Sequence, residues 1–163
     1  MPELIVPTPR LHRAWLDAHA EWGPGLHEDG FGLLPTDDVY STAGFAAWTA
    51  RLSGPPERAT CRWIVEDGQV RGGIALRHEF DDYVQWAGHI GFGIRPSARR
   101  RGLAGWALGE MLREARGIGL NRVLLVCATN NLASARTIER LGGVFEEVRD
   151  TAFGPVRRYW IDL

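Results

Sequence analysis

Apolar residues at helical spacing predict two helices in the first third of the chain. A short apolar strand at 4–6 is followed by Thr8-Pro9, a pair typical of a helix start, and apolar residues then recur at helical spacing as far as Trp22. A cap at Ser41 or Thr42 predicts a second helix that ends near Ser53. The Gly- and Pro-rich stretch between the two helices is predicted to be a loop.

From Cys61 onward the apolar residues follow the period of strands. Residues 61–77 are predicted to form two strands joined by Asp67-Gly68, a dipeptide favoured in tight hairpins. A polar loop around Asp81-Asp82 is predicted to lead into a further strand at about 86–94.

The second half of the chain alternates helices and strands. An amphipathic helix is predicted from about 102 to 116, and the continuous apolar run 123–127 indicates a central strand covered on both faces. Asn130 or Asn131 is expected to cap a short helix, and residues 144–161 predict a closing hairpin.

The order of these elements defines the expected fold class. It is strand-helix-helix, then three strands, then helix-strand-helix and two final strands, with no repeat, low-complexity segment or linker between them. This order predicts a single α/β domain over residues 1–163, with one mixed central sheet that carries helices on its faces.

Composition excludes several functions. The net charge of −1 offers no general attraction to nucleic acid or to an acidic membrane, and no apolar run is long enough for a membrane span. All 19 basic residues are arginine, so no P-loop lysine and no lysine Schiff base is available. No metal-binding signature is present. The N-terminus shows no secretory leader, and Cys61 and Cys127 are expected to be buried thiols, so a cytoplasmic location is predicted.

The segment from Ile94 to Gly105 carries the chemistry. It joins a strand to an amphipathic helix through a turn with three consecutive arginines, 99–101. The first N–H groups of a helix lack intrahelical partners and lie at the positive end of its dipole, where a pyrophosphate can bind. Gly102, Ala104 and Gly105 have little or no side chain to block that approach. A solvated basic turn and a nucleic-acid patch are the alternatives.

The spacing Arg99-x-x-Gly102-x-Ala104 resembles the cofactor signature of the GNAT acetyltransferase superfamily, and the segments Asn131 to Ala135 and Glu139 to Gly142 are similar to its next helix. The resemblance implies a mostly antiparallel GNAT-like sheet and acetyl-CoA as acyl donor. The segments Gly88 to Gly102 and Arg158 to Ile161 look most like a bacterial branch of predicted acetyltransferases of unknown acceptor. It also implies that the strand before the signature bulges and splays from its neighbour. The implied cofactor-binding residues are Phe92, Gly93, Ile94, Arg95, Arg99, Arg100, Arg101, Gly102, Leu103, Ala104, Gly105, Asn131 and Ser134.

Acetyl transfer to an amine benefits from a general base, because an amine with a pKa near 10 is mostly protonated at neutral pH. His89 and Glu79 are the predicted candidates, each with a structural role as its alternative. The position at which many GNAT members have an acidic tyrosine is Ile138 here. Proton donation to the leaving thiolate therefore falls to Ser134, Tyr159 or water.

These predictions define an N-acetyltransferase that acts on a small-molecule amine by direct attack, with a peptide or protein amine as the second choice. A catalytically silent acyl-CoA binding or sensing module is the alternative, and nucleic-acid binding ranks third. The acceptor is expected near the loop 23–38 and Asp81-Asp82, where Trp15, Trp22 and Trp48 are either pocket or core residues. The closing hairpin could pair two copies of the chain in a homodimer, and the sequence does not decide this.

Overall fold

A computed structural model describes residues 1–23, 30–54 and 59–163 of the chain. The strands within these residues are β1 Glu3–Ile5, β2 Ala59–Glu66, β3 Gln69–Arg77, β4 Ile90–Ile94, β5 Arg122–Ala128, β6 Val144–Thr151 and β7 Gly154–Asp162. The helices are α1 His12–Trp22, α2 Thr42–Ser53, α3 Asp82–Ala87, α4 Leu103–Gly117 and α5 Leu132–Arg140. The predicted loop residues Glu28 and Asp29 lie outside the described residues.

Capping side chains set most of the predicted boundaries. The Thr8 hydroxyl accepts a hydrogen bond from the Arg10 N–H in a short 3₁₀ turn that leads into α1, and the Ser41 hydroxyl accepts one from Gly44 at the start of α2. Asn131, one of the two predicted caps, accepts a hydrogen bond from the Ser134 N–H. Local polar chemistry therefore determines where these helices begin.

The segment before β4 differs from the prediction. Residues 82–87 form the short helix α3 instead of a loop and the start of a strand, so β4 begins at Ile90. The Asp81 carboxylate accepts a hydrogen bond from the Val84 N–H and caps the helix, while Gly88 ends it at a φ of 84°. The two adjacent aspartates were thus a helix start.

The strands form two sheets instead of the predicted single one. The first has the order β1-β2-β3-β4 and the second the order β5-β7-β6, and every hydrogen-bonded strand pair in the described residues is antiparallel. One isolated bridge joins Gly88, which precedes β4, to Leu125 in the middle of β5. Beyond this bridge the two strands separate, as the family resemblance implied.

The predicted bulge in the strand before the signature is not observed. The register of β4 against β3 is continuous from Ile90 to Ile94, and register shifts occur instead in β2 and β6. A Cβ atom on Gly72 would collide with the Gly93 carbonyl across the pair, so these glycines permit close strand packing.

Two hydrophobic clusters hold the helices against the sheets. The larger cluster packs α4 and α5 against strands of both sheets through residues such as Leu108, Met111 and Ile138. The smaller cluster packs α1 and α2 on the first sheet around Trp15 and Trp48, which are 1% and 2% exposed. No helix in the described part of the chain is both long and apolar enough to cross a membrane.

Candidate active site

The separation of β4 from β5 opens a cleft of about 1290 Å³ on the side of α4 and α5. Its lining residues come from the second half of β4, the turn before α4 and the start of that helix, the end of β5, the length of α5 and the last residue of α1. A smaller cavity of about 750 Å³ lies beside β6 and β7. The N-termini of two helices face the larger cleft, and the first-turn N–H groups of α4 have no side-chain cap among the described residues.

Both walls of the cleft are formed by edge strands, β4 of the first sheet and β5 of the second. The Arg95 N–H donates to the Arg71 carbonyl and the Arg77 N–H to the His89 carbonyl, so the backbone groups of alternate residues of β4 bond to β3. The backbone N–H groups of the residues between them, Phe92 and Ile94, therefore point into the cleft. The Thr129 N–H donates to Pro155, and the same alternation directs Val126 and Ala128 of β5 into the cleft from the other side. An extended molecule with amide groups can bind between two such edges.

The N-terminus of α4 forms the second part of the cleft. Arg100 and Gly102 both have left-handed backbones, with φ values of 64° and 78°. Among the described residues no side chain caps this helix at Gly102. The N–H groups of the first turn are therefore available to an anion, at the positive end of a 15-residue helix.

The cleft contains eleven of the thirteen residues predicted to bind the cofactor. They are Phe92, Gly93, Ile94, Arg99, Arg100, Gly102, Leu103, Ala104, Gly105, Asn131 and Ser134. The Arg99 Nε atom donates to the Ile94 carbonyl at 2.9 Å, which orients its guanidinium beside the turn.

The other two predicted ligands, Arg95 and Arg101, are engaged elsewhere. Arg95 donates to Glu21 of α1 at 3.0 and 3.2 Å, and Arg101 donates to Glu66 of β2 at 2.7 Å. Neither arginine is among the cleft residues. Both neutralise carboxylates from the N-terminal half, a pairing that local sequence spacing could not reveal because the partners lie 74 and 35 positions apart.

His89 lies at the point where β4 and β5 meet. Its backbone N–H donates to the Leu124 carbonyl at 2.7 Å, and its Nδ1 accepts from the Leu124 N–H at 2.8 Å. Burial lowers the pKa of His89 to about 4, with Arg77 as a smaller cause in the same direction. With Nδ1 occupied as an acceptor, the neutral ring carries its proton on Nε2. This geometry suits a structural clip and not the predicted general base.

The other predicted catalytic residues are not in the cleft. Glu79 is an exposed residue just beyond the end of β3. Tyr159 lines the smaller cavity, where its hydroxyl donates to Glu139 at 2.8 Å, and burial and this carboxylate raise its pKa. Ile138 is 1% exposed within the core, so the position of the family's tyrosine is structural in this chain.

The described lining of the cleft contains arginines but no carboxylate and no histidine. Among the described residues, this lining therefore offers neither a carboxylate nor an imidazole as a general base. The same part of the chain places no three His, Cys, Asp or Glu side chains where they could hold a metal ion.

The predicted acceptor residues are divided between the core and the cleft. Trp15 and Trp48 pack in the smaller hydrophobic cluster, whereas Trp22, the last residue of α1, lines the cleft. Asp37 pairs with Arg51, and Asp38 accepts hydrogen bonds from Tyr40 and Ser41. These two acids therefore stabilise the loop before α2.

Several lining residues were not predicted. They are Ala98, Trp106, Val126, Cys127, Ala128, Asn130, Ala133, Arg136, Thr137, Arg140 and Leu141. The apolar run of β5 signalled a covered strand, but only the tertiary separation from β4 makes its edge part of a site. Arg136 and Arg140 lie one turn apart on α5, a spacing that could have indicated a second basic surface.

Comparison with known proteins identifies the family of the chain. The family model for the GNAT acetyltransferase domain matches residues 8–144. The chain therefore belongs to the GNAT acetyltransferase family, which confirms the predicted family and the predicted class of enzyme, an acyl-CoA-dependent acetyltransferase. No curated protein matches the chain at a significant level.

Solved structures of acetyltransferases share the fold. The microcin C7 self-immunity acetyltransferase MccE, in complex with acetyl-CoA and AMP, superimposes with a TM-score of 0.73 at 15% identity, over 99% of this chain and 92% of that one. Mycobacterium smegmatis RimJ in complex with CoA-disulfide superimposes with a TM-score of 0.78 at 16% identity, over 99% of this chain and 81% of that one. A Salmonella typhimurium acetyltransferase that modifies the N-terminal serine of ribosomal protein L7/L12 superimposes with a TM-score of 0.74 at 16% identity, over 99% of this chain and 95% of that one.

Proposed function

We propose that this protein transfers an acetyl group from acetyl-CoA to a primary amine within a ternary complex. The observation that carries the proposal is the cleft itself, in which two unpaired strand edges lead to the uncapped N-terminus of α4. A pantetheine chain with its amides would lie between Phe92, Ile94, Val126 and Ala128. The pyrophosphate would lie at the first turn of α4, with Arg99 and Arg100 beside it.

In the proposed reaction the amine nitrogen attacks the thioester carbon. A C–N bond forms, the C–S bond breaks, and the CoA thiolate takes up a proton. The N–H of Phe92 or Ile94 points into the cleft and would stabilise the oxyanion that develops on the carbonyl oxygen. Ser134, which lines the cleft, or water would protonate the thiolate.

We infer that the amine loses its proton to water and not to a side chain of the described cleft. The supporting observations are the carboxylate-free lining and the engaged Nδ1 of His89. In that case the enzyme acetylates the free-amine fraction, which grows about tenfold per pH unit below the amine pKa. Glu79, although exposed beyond β3, remains the proposed alternative base.

A small-molecule amine remains our proposed acceptor, with a peptide or protein amine as the second choice. Among the structural neighbours, MccE was solved with AMP and another enzyme modifies a ribosomal protein N-terminus, so both sizes occur on this fold. We also propose a cytoplasmic location, which the two buried free thiols Cys61 and Cys127 support.

The second candidate function is a silent acyl-CoA binding module. The isoleucine at position 138 and the lining without a base favour it. A thiol-release assay with acetyl-CoA and a panel of small amines and short peptides separates the two. Amine-dependent release of CoA, with matching N-acetylated product, is the expected result. Tight acetyl-CoA binding without release for any amine would instead establish the silent module.

A further inference from the structure

One carboxylate of the N-terminal half holds the turn between β4 and α4. Glu21, in the last turn of α1, accepts four hydrogen bonds from two residues of this turn. Its Oε1 atom accepts from Arg95 Nε and Nη2 at 3.2 and 3.0 Å and from the Ser97 hydroxyl at 2.8 Å. Its Oε2 atom accepts the Ser97 backbone N–H at 2.6 Å. A carboxylate so completely engaged fixes its donors in position.

Burial and charge show that this contact is built into the fold. The Arg95 side chain is only 11% exposed and also donates to the Val70 carbonyl, so three elements meet at its guanidinium. The Ser97 backbone N–H is the largest cause of the lowered pKa of Glu21, and the Ser97 hydroxyl and Arg95 add to it. The carboxylate is therefore ionised in the neutral range, where its bonds to Arg95 are charge-assisted.

The far end of the same turn is held in a similar way. Arg101 donates to Glu66 at the end of β2 at 2.7 Å. Between the two anchors, Arg99 and Arg100 face the cleft, and Arg100 has a left-handed backbone that is costly for a residue with a Cβ atom. Such a conformation persists where its surroundings enforce it, and the two anchors lie on either side of it.

We propose that Glu21 is a positioning residue that presets the pyrophosphate-binding turn by anchoring Arg95 and Ser97. A turn that already has its bound shape spares the cofactor the entropic cost of ordering it. The inference rests on the proposed acetyl-CoA site and adds a role for α1. Trp22, which follows Glu21 at the end of this helix, lines the same cleft.

The proposal has a direct competitor that predicts the opposite sign. If Glu21 only neutralised Arg95, removing its charge would release a cation beside the pyrophosphate and tighten binding. If Glu21 positions the turn, the same change loosens the cradle and weakens binding. The variant Glu21→Gln therefore decides between them, because it keeps the shape of the side chain while it removes the charge and replaces one acceptor oxygen with a donor amide.

We would titrate the wild type, Glu21→Gln and the control Glu110→Gln with acetyl-CoA in a calorimeter, and with S-acetylpantetheine, which lacks the pyrophosphate. Glu110 pairs with Arg113 on an exposed part of α4, so its loss should not change binding. For Glu21→Gln we expect acetyl-CoA affinity to fall about tenfold and S-acetylpantetheine affinity to stay constant. Ser97→Ala, which removes one of the four hydrogen bonds, should give a smaller loss in the same direction.

An unchanged or tighter affinity in a folded Glu21→Gln variant would overturn the positioning role, and a tighter one would make Arg95 a latent phosphate ligand. An equal loss for both ligands would also overturn it, since a general loosening of the protein is not specific to the pyrophosphate. Failure of the wild type to bind acetyl-CoA would refute the proposed function itself, and the inference with it.

Discussion

Protonation of His89 should destabilise the protein at mildly acidic pH. Its pKa is lowered from 6.5 to about 4 in the folded chain, because the ring is buried between β4 and β5 with Nδ1 held by the Leu124 N–H. Between these two pH values the unfolded chain binds the proton and the folded chain does not. The free energy of unfolding therefore falls as the pH falls through this window and is unaffected above it.

The size of the effect follows from the shift. The full difference of about 2.5 pH units, at 1.36 kcal/mol each, corresponds to about 3 kcal/mol, and about 2 kcal/mol of it is lost by pH 5. Stopping at pH 5 keeps most carboxylates of both states ionised. The measurement is urea unfolding of the wild type and of His89→Asn at pH 7.5 and pH 5.

His89→Asn is the informative variant because its side-chain oxygen can accept the Leu124 N–H but cannot titrate. We expect the wild type to lose about 2 kcal/mol more than the variant between the two pH values. Equal losses in both proteins would refute the assignment of His89 as a buried neutral clip. They would also reopen its role as a general base.

Three further changes test other parts of the account. Gly109→Ala in the interior of α4 should raise the free energy of unfolding by about 1 kcal/mol, since the added Cβ meets no atom within 4 Å; a loss measured in urea would contradict the open space there. Tyr159→Phe should leave the CoA-release rate unchanged and cost about 1 kcal/mol through the lost bond to Glu139, whereas a large rate loss would restore the tyrosine as proton donor. Burial raises the pKa of the Cys127 thiol, so its alkylation at pH 7 should be slow. Acetyl-CoA should slow the alkylation of Cys127 further, because this residue lines the cleft, and should not protect Cys61, which lies outside the lining.

Local sequence signals predicted the elements well where capping residues or strong periodicity set their limits. Thr8, Ser41 and Asn131 all cap helices as expected, and the Asp67-Gly68 turn joins β2 to β3. The failures have a common physical cause. The division into two sheets and the pairing of Arg95 with Glu21 depend on contacts between residues far apart in the chain, which no local pattern encodes.

The structure gathers most of the residues predicted to bind the cofactor into one cleft, whereas it brings none of the three predicted catalytic residues there. A helix N-terminus with small residues and arginines around it binds anions mainly through its backbone, so spacing along the chain is enough to propose such a site. The orientation of a general base depends on side-chain packing. In His89 the nitrogen that would accept a proton, Nδ1, already accepts a hydrogen bond from the Leu124 N–H. Sequence spacing cannot distinguish these two uses of a histidine.

The most direct test of the acetyl-CoA site is calorimetric titration of the wild type, Gly105→Ala and Gly105→Glu. Gly105 lies in the first turn of α4 and a Cβ atom there meets nothing within 4 Å, whereas Gly102 has a φ of 78° that would strain any substitution. Both variants should fold at least as stably as the wild type, because alanine and glutamate are better helix formers than glycine and an acidic group suits a helix N-terminus. Two like unit charges about 5 Å apart repel by about 3 kcal/mol at an effective dielectric constant of 20, and a glutamate at position 105 would lie beside the proposed pyrophosphate site. We therefore predict micromolar binding by the wild type and about 100-fold weaker binding by Gly105→Glu, with Gly105→Ala close to the wild type. Equal binding by all three proteins, or none by the wild type, would contradict the site.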